Sequence, residues 1–95
     1  MNTPNTNTNP RIIPSTTPTL SFSKRSNDVK QLQQILNSLG YTVSISGAGS
    51  KGNETTYFGP ATKNALIKFQ KANNLTPDGI FGSKSREKLN GVIVN

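Results

Sequence analysis

The 95-residue sequence predicts a mainly α-helical fold, a small three-helix bundle that contains one structural unit nearly twice. Two observations carry that expectation. Apolar residues recur at helical spacing in two windows, Val29-Leu32-Ile35-Leu36-Leu39 and Ala65-Leu66-Phe69-Ala72, so each window presents one buried face. A Phe-Gly pair then opens a helix in two places, because Phe58-Gly59-Pro60-Ala61-Thr62 is echoed by Phe81-Gly82-Ser83-Lys84-Ser85.

Taken in order, residues 1–23 are mostly Asn, Thr, Pro and Ser, with too few apolar groups to offset the entropy of ordering a chain. They read as a flexible tail or linker, disordered and stiffened locally by proline, and residues 24–95 as the domain. Arg11-Ile12-Ile13 is the tail's one sticky point, able to dock on the globule or to stay unstructured. Ser26 or Asn27 suits an N-cap, Asp28 complements the positive end of a helix, and Gly40 suits the C′ position, so the first helix is expected from about Asp28 to Leu39. Gln33 lies at the edge of its stripe, where a hydrogen bond to a nearby loop backbone and contact with a ligand are both open readings.

Tyr41-Thr42-Val43-Ser44-Ile45 alternates large and small residues as a short strand would. Ser46 to Tyr57 follows as a long loop between the first two helices, with Gly47, Gly49 and Gly52 close together; it is either functional or a tolerated insertion. The second helix is expected from about Pro60 to Asn73, since proline at a first helical position loses no hydrogen bond, and Ile67 falls on its polar face. Leu75-Thr76-Pro77-Asp78-Gly79 has the order of a tight turn. Ile80 and Phe81 are expected to return to the core, with a third helix from Gly82 or Ser83 that Gly91 ends.

Composition removes several kinds of chemistry. With no Cys and no His, neither a disulfide framework, nor a zinc site of usual composition, nor a nucleophile–base pair can be assembled, and no cofactor is implied. Four carboxylates remain, of which Asp28 suits a helix start, Asp78 a turn and Glu87 helix-surface pairing, leaving Glu54 without a structural role. A single loop carboxylate does not make a glycosidase, which needs two acids facing one substrate. The formal charge of +7 favours an acidic partner, but the basic residues are spread without a block. Helices two and three with Lys84, Arg86 and Lys88 faintly suggest nucleic-acid binding, yet the Asn or Gln partners of base readout are missing. No apolar run approaches the roughly 20 residues of a membrane span, and Met1 is not followed by an export signal of the usual kind.

Leu32-Gln33, Leu39-Gly40-Tyr41, Phe58-Gly59, Thr62, Ala65, Phe69-Gln70, Leu75, Asp78-Gly79, Phe81-Gly82 and Leu89, in that order, resemble the peptidoglycan-binding domain of bacterial and phage wall hydrolases. A modified form of that domain occurs in matrix metalloproteinase propeptides. The resemblance covers Asp28 to about Asn90. It implies a three-helix fold with a shallow recognition surface and no reaction of its own. Its implied partners are peptidoglycan glycan and stem peptide, with anionic wall polymers as a further partner. It also implies a catalytic domain fused in a longer parent, a monomer, and a place in the bacterial cell wall or envelope. A structural or protein-interaction module on the same fold is the alternative. One departure stands out: Tyr41 to Phe58 spans 17 positions where the matching Leu75 to Phe81 spans six, and Thr55-Thr56-Tyr57 stands where the family usually has Asp-Gly before Phe-Gly.

For ligand contact the candidates are Tyr41, Asn53, Glu54, Tyr57 and Gln70, with Lys63 and Arg86 as carboxylate partners. Each has a structural alternative: the tyrosines as core residues with a wet hydroxyl, and Gln70 as a loop cap.

Overall fold

The computed structural model describes residues 12–94. Helix α1 runs Asn27–Ser38, α2 Pro60–Ala72 and α3 Ser83–Val94. Ser26 is the N-cap of α1 by backbone geometry, with its carbonyl accepting from Val29 N–H at 3.1 Å, but its buried hydroxyl makes no capping bond. Asp28 lies in the first turn as expected, and Gly59 and Pro60 open α2.

α1 and α2 end in the same way. Gly40 takes φ +93°, its N–H donates to the Asn37 carbonyl, and Tyr41 N–H reaches back to Leu36. At the end of α2, Asn74 takes φ +60°, its N–H donates to Lys71 and Leu75 N–H to Gln70. Both are Schellman closures, and asparagine can take the left-handed position that glycine holds in the first. Each closure turns the chain back toward the bundle.

The core contains Val29, Leu32, Ile35 and Leu36 from α1, Ala65, Leu66 and Phe69 from α2, Leu89 from α3, and the two repeat phenylalanines Phe58 and Phe81. Tyr41 sets its ring edge-on to Phe69, centroids 5.5 Å apart. Within the second apolar stripe Ala72 is exposed, and Ile67 on the polar side is half-buried.

Four expectations are corrected. First, residues 12–23 are not a free spacer: Ile13 and Leu20 are buried in the core. Ile13 exchanges two hydrogen bonds with the Asn90 side chain, at 2.9 and 2.8 Å, and Leu20 exchanges two with the Phe81 backbone, at 3.1 and 2.8 Å. Ser23 N–H donates to Phe58 O, and Phe58 N–H to Lys24 O. This strap therefore crosses both Phe-Gly turns. Its composition is poor in apolar residues, but the two it buries land where the helices leave a gap. The expected tail over residues 1–11 lies outside the described residues.

Second, residues 41–45 form no strand. Among the described residues only the isolated bridges Leu20–Phe81 and Arg25–Tyr57 have sheet pairing. Val43 N–H is taken by the Asn37 side chain at 2.8 Å instead, burying Val43 and leaving Ile45 95% exposed. Third, Gly91 does not end α3, which continues to Val94. Asn90 is tied to the strap and Ile93 packs on the core, so tertiary contacts carry the helix through a residue that by itself costs about 1 kcal/mol. Fourth, Ile80 does not return to the core with Phe81 but remains 44% exposed.

If the strap is part of the folded unit, Leu20→Ala lowers the unfolding free energy by about 2–5 kcal/mol, the usual cost of an emptied leucine site. A chain beginning at Arg25 loses more than that. Urea denaturation of the full chain and both variants measures the differences, and equal midpoints for all three would refute the strap's structural role.

Candidate functional site

Two buried glutamines organise the polar side of the molecule. Gln33 follows Leu32 on α1 and Gln70 follows Phe69 on α2, and each is 1% exposed. The Gln33 amide donates to Tyr57 O at 2.9 Å and to Thr62 Oγ1 at 2.8 Å, and accepts from Thr55 N–H at 2.6 Å. The Gln70 amide donates to Ile80 O at 3.0 Å and to Ser85 Oγ at 3.1 Å, and accepts from Gly79 N–H at 2.9 Å. The partners correspond: Tyr57 and Ile80 each precede the repeat phenylalanine, and Thr62 and Ser85 each lie four residues after it. Each glutamine thus binds the loop that follows its helix to the first turn of the next helix. The loop-backbone reading of Gln33 is what the geometry shows, and the Gln70 amide is engaged in the same way. The repeated apolar-Gln pair, answered by Thr62 and Ser85, was the signal for it in the sequence.

Beside each amide the loop and the following helix start enclose a cleft. In the second repeat the cleft has a volume of about 310 Å³ and includes Leu75, Thr76, Asp78, Ile80, Ser83 and Lys84 in its walls. In the first it has about 200 Å³, and Val43, Ala48, Tyr57, Pro60 and Ala61 are among its lining residues. The segment between the first two helices supplies Val43, Ala48 and Gly49 to the lining of the smaller cleft.

Asn37, not singled out from sequence, holds the long loop. Its amide donates to Gly49 O at 3.0 Å and Glu54 Oε2 at 2.9 Å while its oxygen accepts from Val43 N–H. Glu54 therefore has a structural role after all, and its other oxygen accepts from Gly52 N–H at 3.1 Å. Partial burial works against its charge, but the hydrogen bonds from Asn37 and from the Glu54 and Gly52 backbone, with the Lys30 charge, outweigh it and hold the carboxyl below its ordinary value.

The remaining candidates are distributed over several places. Asn53 is exposed on the loop, where its side chain donates to Ser50 Oγ at 3.1 Å. Tyr57 lines the first cleft, with its ring against Gly59, where an added Cβ would come within 2.8 Å, and the Arg25 guanidinium over it at 4.3 Å. Tyr41 is half-buried against Phe69. Lys63 is exposed at its end, and its stem lies on Gly79, whose φ of +72° closes the second turn. Arg86 is half-buried on α3. Of the seven, only Gln70 lines the larger cleft, whose exposed residues were not foreseen.

The sequence profile of the peptidoglycan binding domain family matches residues 25–89. Over 61 residues the chain is 41% identical to the N-acetylmuramoyl-L-alanine amidase CwlL of Bacillus licheniformis; the match covers 64% of the chain and 16% of the amidase. The crystal structure of the SleB N-terminal domain is similar with a TM-score of 0.66 and 27% identity, covering 79% of the chain and 92% of that domain. The crystal structure of a peptidoglycan-binding protein from Clostridioides difficile, in complex with glutamine hydroxamate, is similar with a TM-score of 0.68 and 32% identity, covering 84% of the chain and 44% of that protein.

Two outcomes follow from these contacts. Gln33→Ala or Gln70→Ala leaves buried N–H and C=O groups unpaired, and each lowers the unfolding free energy by at least about 1–3 kcal/mol in denaturant titration. Glu54 contributes stability above its unfolded pKa that is lost as pH falls through the lower folded value. Glu54→Gln is therefore less stable than the native chain at neutral pH, and the gap closes on acidification; a gap constant from pH 7 to pH 2 would exclude this linkage.

Proposed function

Because the chain belongs to the peptidoglycan binding domain family, we propose that it is a noncatalytic module that binds bacterial cell-wall peptidoglycan and holds an attached enzyme or particle at the wall. The observation that carries this reading is the family match from residue 25 to residue 89, which includes α1, α2 and most of α3. The similar amidase extends far beyond the segment shared with this chain, which supports assigning hydrolysis to a separate domain. The carboxylates support the same division of labour: Asp28 is in the first turn of α1, Glu54 is bound by Asn37, and Asp78 Oδ1 accepts from Gln70 and Ile80. Among the described residues no helix is long and apolar enough to cross a membrane, and no three metal-ligating side chains form a group.

The wall offers amides, hydroxyls and carboxylates, which open clefts bind through hydrogen bonds, apolar contact and diffuse positive charge. Tyr57, which lines the first cleft, the exposed Asn53 and Lys63, and the half-buried Arg86 are candidates for such contacts. The amides of Gln33 and Gln70 act beneath that surface by fixing the loops. A modest affinity suffices for a tethered module, because attachment raises its effective concentration at the wall.

The test is co-sedimentation with purified sacculi, with and without their anionic polymers. Retention on bare sacculi is expected, with partial loss as salt rises. A folded chain that stays in the supernatant, or that binds only DNA with a steep salt dependence, would overturn the proposal.

A further inference from the structure

We propose that Asn90-Gly91 is a site of spontaneous covalent modification, and that docking of the strap on α3 is what keeps it intact. Asn90 is the one asparagine of this sequence that a glycine follows. That order matters chemically, because glycine leaves the next backbone nitrogen unhindered, and this nitrogen can attack the side-chain amide carbon. The bond from Gly91 N to Asn90 Cγ forms and the Cγ–Nδ2 bond breaks. The side-chain nitrogen leaves as ammonia, taking the proton of the Gly91 N–H. Water then opens the five-membered imide at either carbonyl, giving aspartate or its backbone-shifted isomer, isoaspartate.

The fold supplies no reason for glycine at this position. α3 runs through Gly91 to Val94, Gly91 is not in the left-handed region, and a Cβ added to it would meet nothing within 4 Å. Alanine would fit there and favour the helix more. What the fold does supply is protection. In a helix the Gly91 N–H points toward the carbonyl four residues earlier, away from the Asn90 side chain. Asn90 Nδ2 donates to Ile13 O at 2.8 Å while its Oδ1 accepts from Ile13 N–H at 2.9 Å. Both ends of the amide are thus held by a strap residue that is 1% exposed. Cγ reaches the Gly91 nitrogen only after the strap lifts and the last turn of α3 opens. The product cannot restore this latch. Aspartate presents an oxygen to the Ile13 carbonyl where Nδ2 donated, and isoaspartate adds a backbone carbon that breaks the helical register carrying Ile93 to the core.

The test incubates the full chain at neutral pH and physiological temperature, in buffer and in denaturing urea. Mass and fragmentation of the tryptic fragment 89–95 separate Asn90 from Asn95, and isoaspartyl methylation detects the isomer. Conversion at Asn90 is expected in urea, and at least about tenfold more slowly in buffer, where strap and helix must open first. Leu20→Ala, which loosens the strap, speeds conversion in buffer severalfold. Gly91→Ala suppresses conversion in urea. In Asn90→Asp, the Ile13 and Leu20 amides exchange hydrogen at least about fivefold faster than in the native chain, while the core amides of α1 and α2 keep their protection. No conversion in urea, equal rates in urea and buffer, a folded Leu20→Ala that converts no faster, or native-like exchange of Ile13 and Leu20 in Asn90→Asp would each overturn the proposal. The urea comparison and the Asn90→Asp measurement decide it even where Leu20→Ala fails to fold.

Discussion

The constraint on which the rest of this structure depends is the hydrogen-bonding capacity of two buried primary amides. A glutamine side chain removed from water must find partners for its carbonyl and its N–H₂ group or forfeit its hydration. Gln33 and Gln70 find them in the loop that follows and in the hydroxyl on the next helix. One residue type therefore fixes both the path of an irregular segment and the docking of a helix start. Aliphatic side chains at the same positions could fill the volume, but could not say where the loop carbonyls must point.

Because α2 accepts this arrangement from α1 and repeats it toward α3, the helix has two roles. Thr62 near its start receives Gln33, and Gln70 near its end reaches Gly79 and Ser85. The strap that ends at Lys24 meets both Phe-Gly turns, exchanging backbone bonds with Phe81 and then with Phe58. The strap begins ahead of the family match at residue 25, although Ile13 and Leu20 are as deeply buried as the helical core. For a domain this small, two additional buried aliphatic side chains matter, each contributing about 1.5–3 kcal/mol by removal from water.

The repeats diverge at the segments that join their helices. The long first loop is tied down through Asn37 and Glu54 beside a cleft with uncharged lining residues, whereas the cleft beside the short second turn has Asp78 and Lys84 in its walls. The internal symmetry of the fold thus supplies two equivalent places, and loop length makes them chemically different.

The sequence by itself determined the three helices, the doubled Phe-Gly unit, the long first loop and the family, because apolar spacing, proline and glycine positions and ordered motif residues are local properties of the chain. It was silent on the destination of Leu20 and left Ile13 open between docking on the globule and staying unstructured, since an aliphatic residue in a polar segment becomes core only when a distant surface offers it a place. It overstated the strand at 41–45, because alternation has no partner to pair with once Asn37 captures Val43 N–H. It ended α3 at Gly91, because helix propensity cannot register the support that the strap and core give through Asn90 and Ile93. Which polar side chains are engaged within the fold was likewise decided by the tertiary structure: the letters left Gln70 open between a ligand contact and a loop cap and gave Glu54 no structural role, and the assembled fold brings hydrogen-bond partners to both.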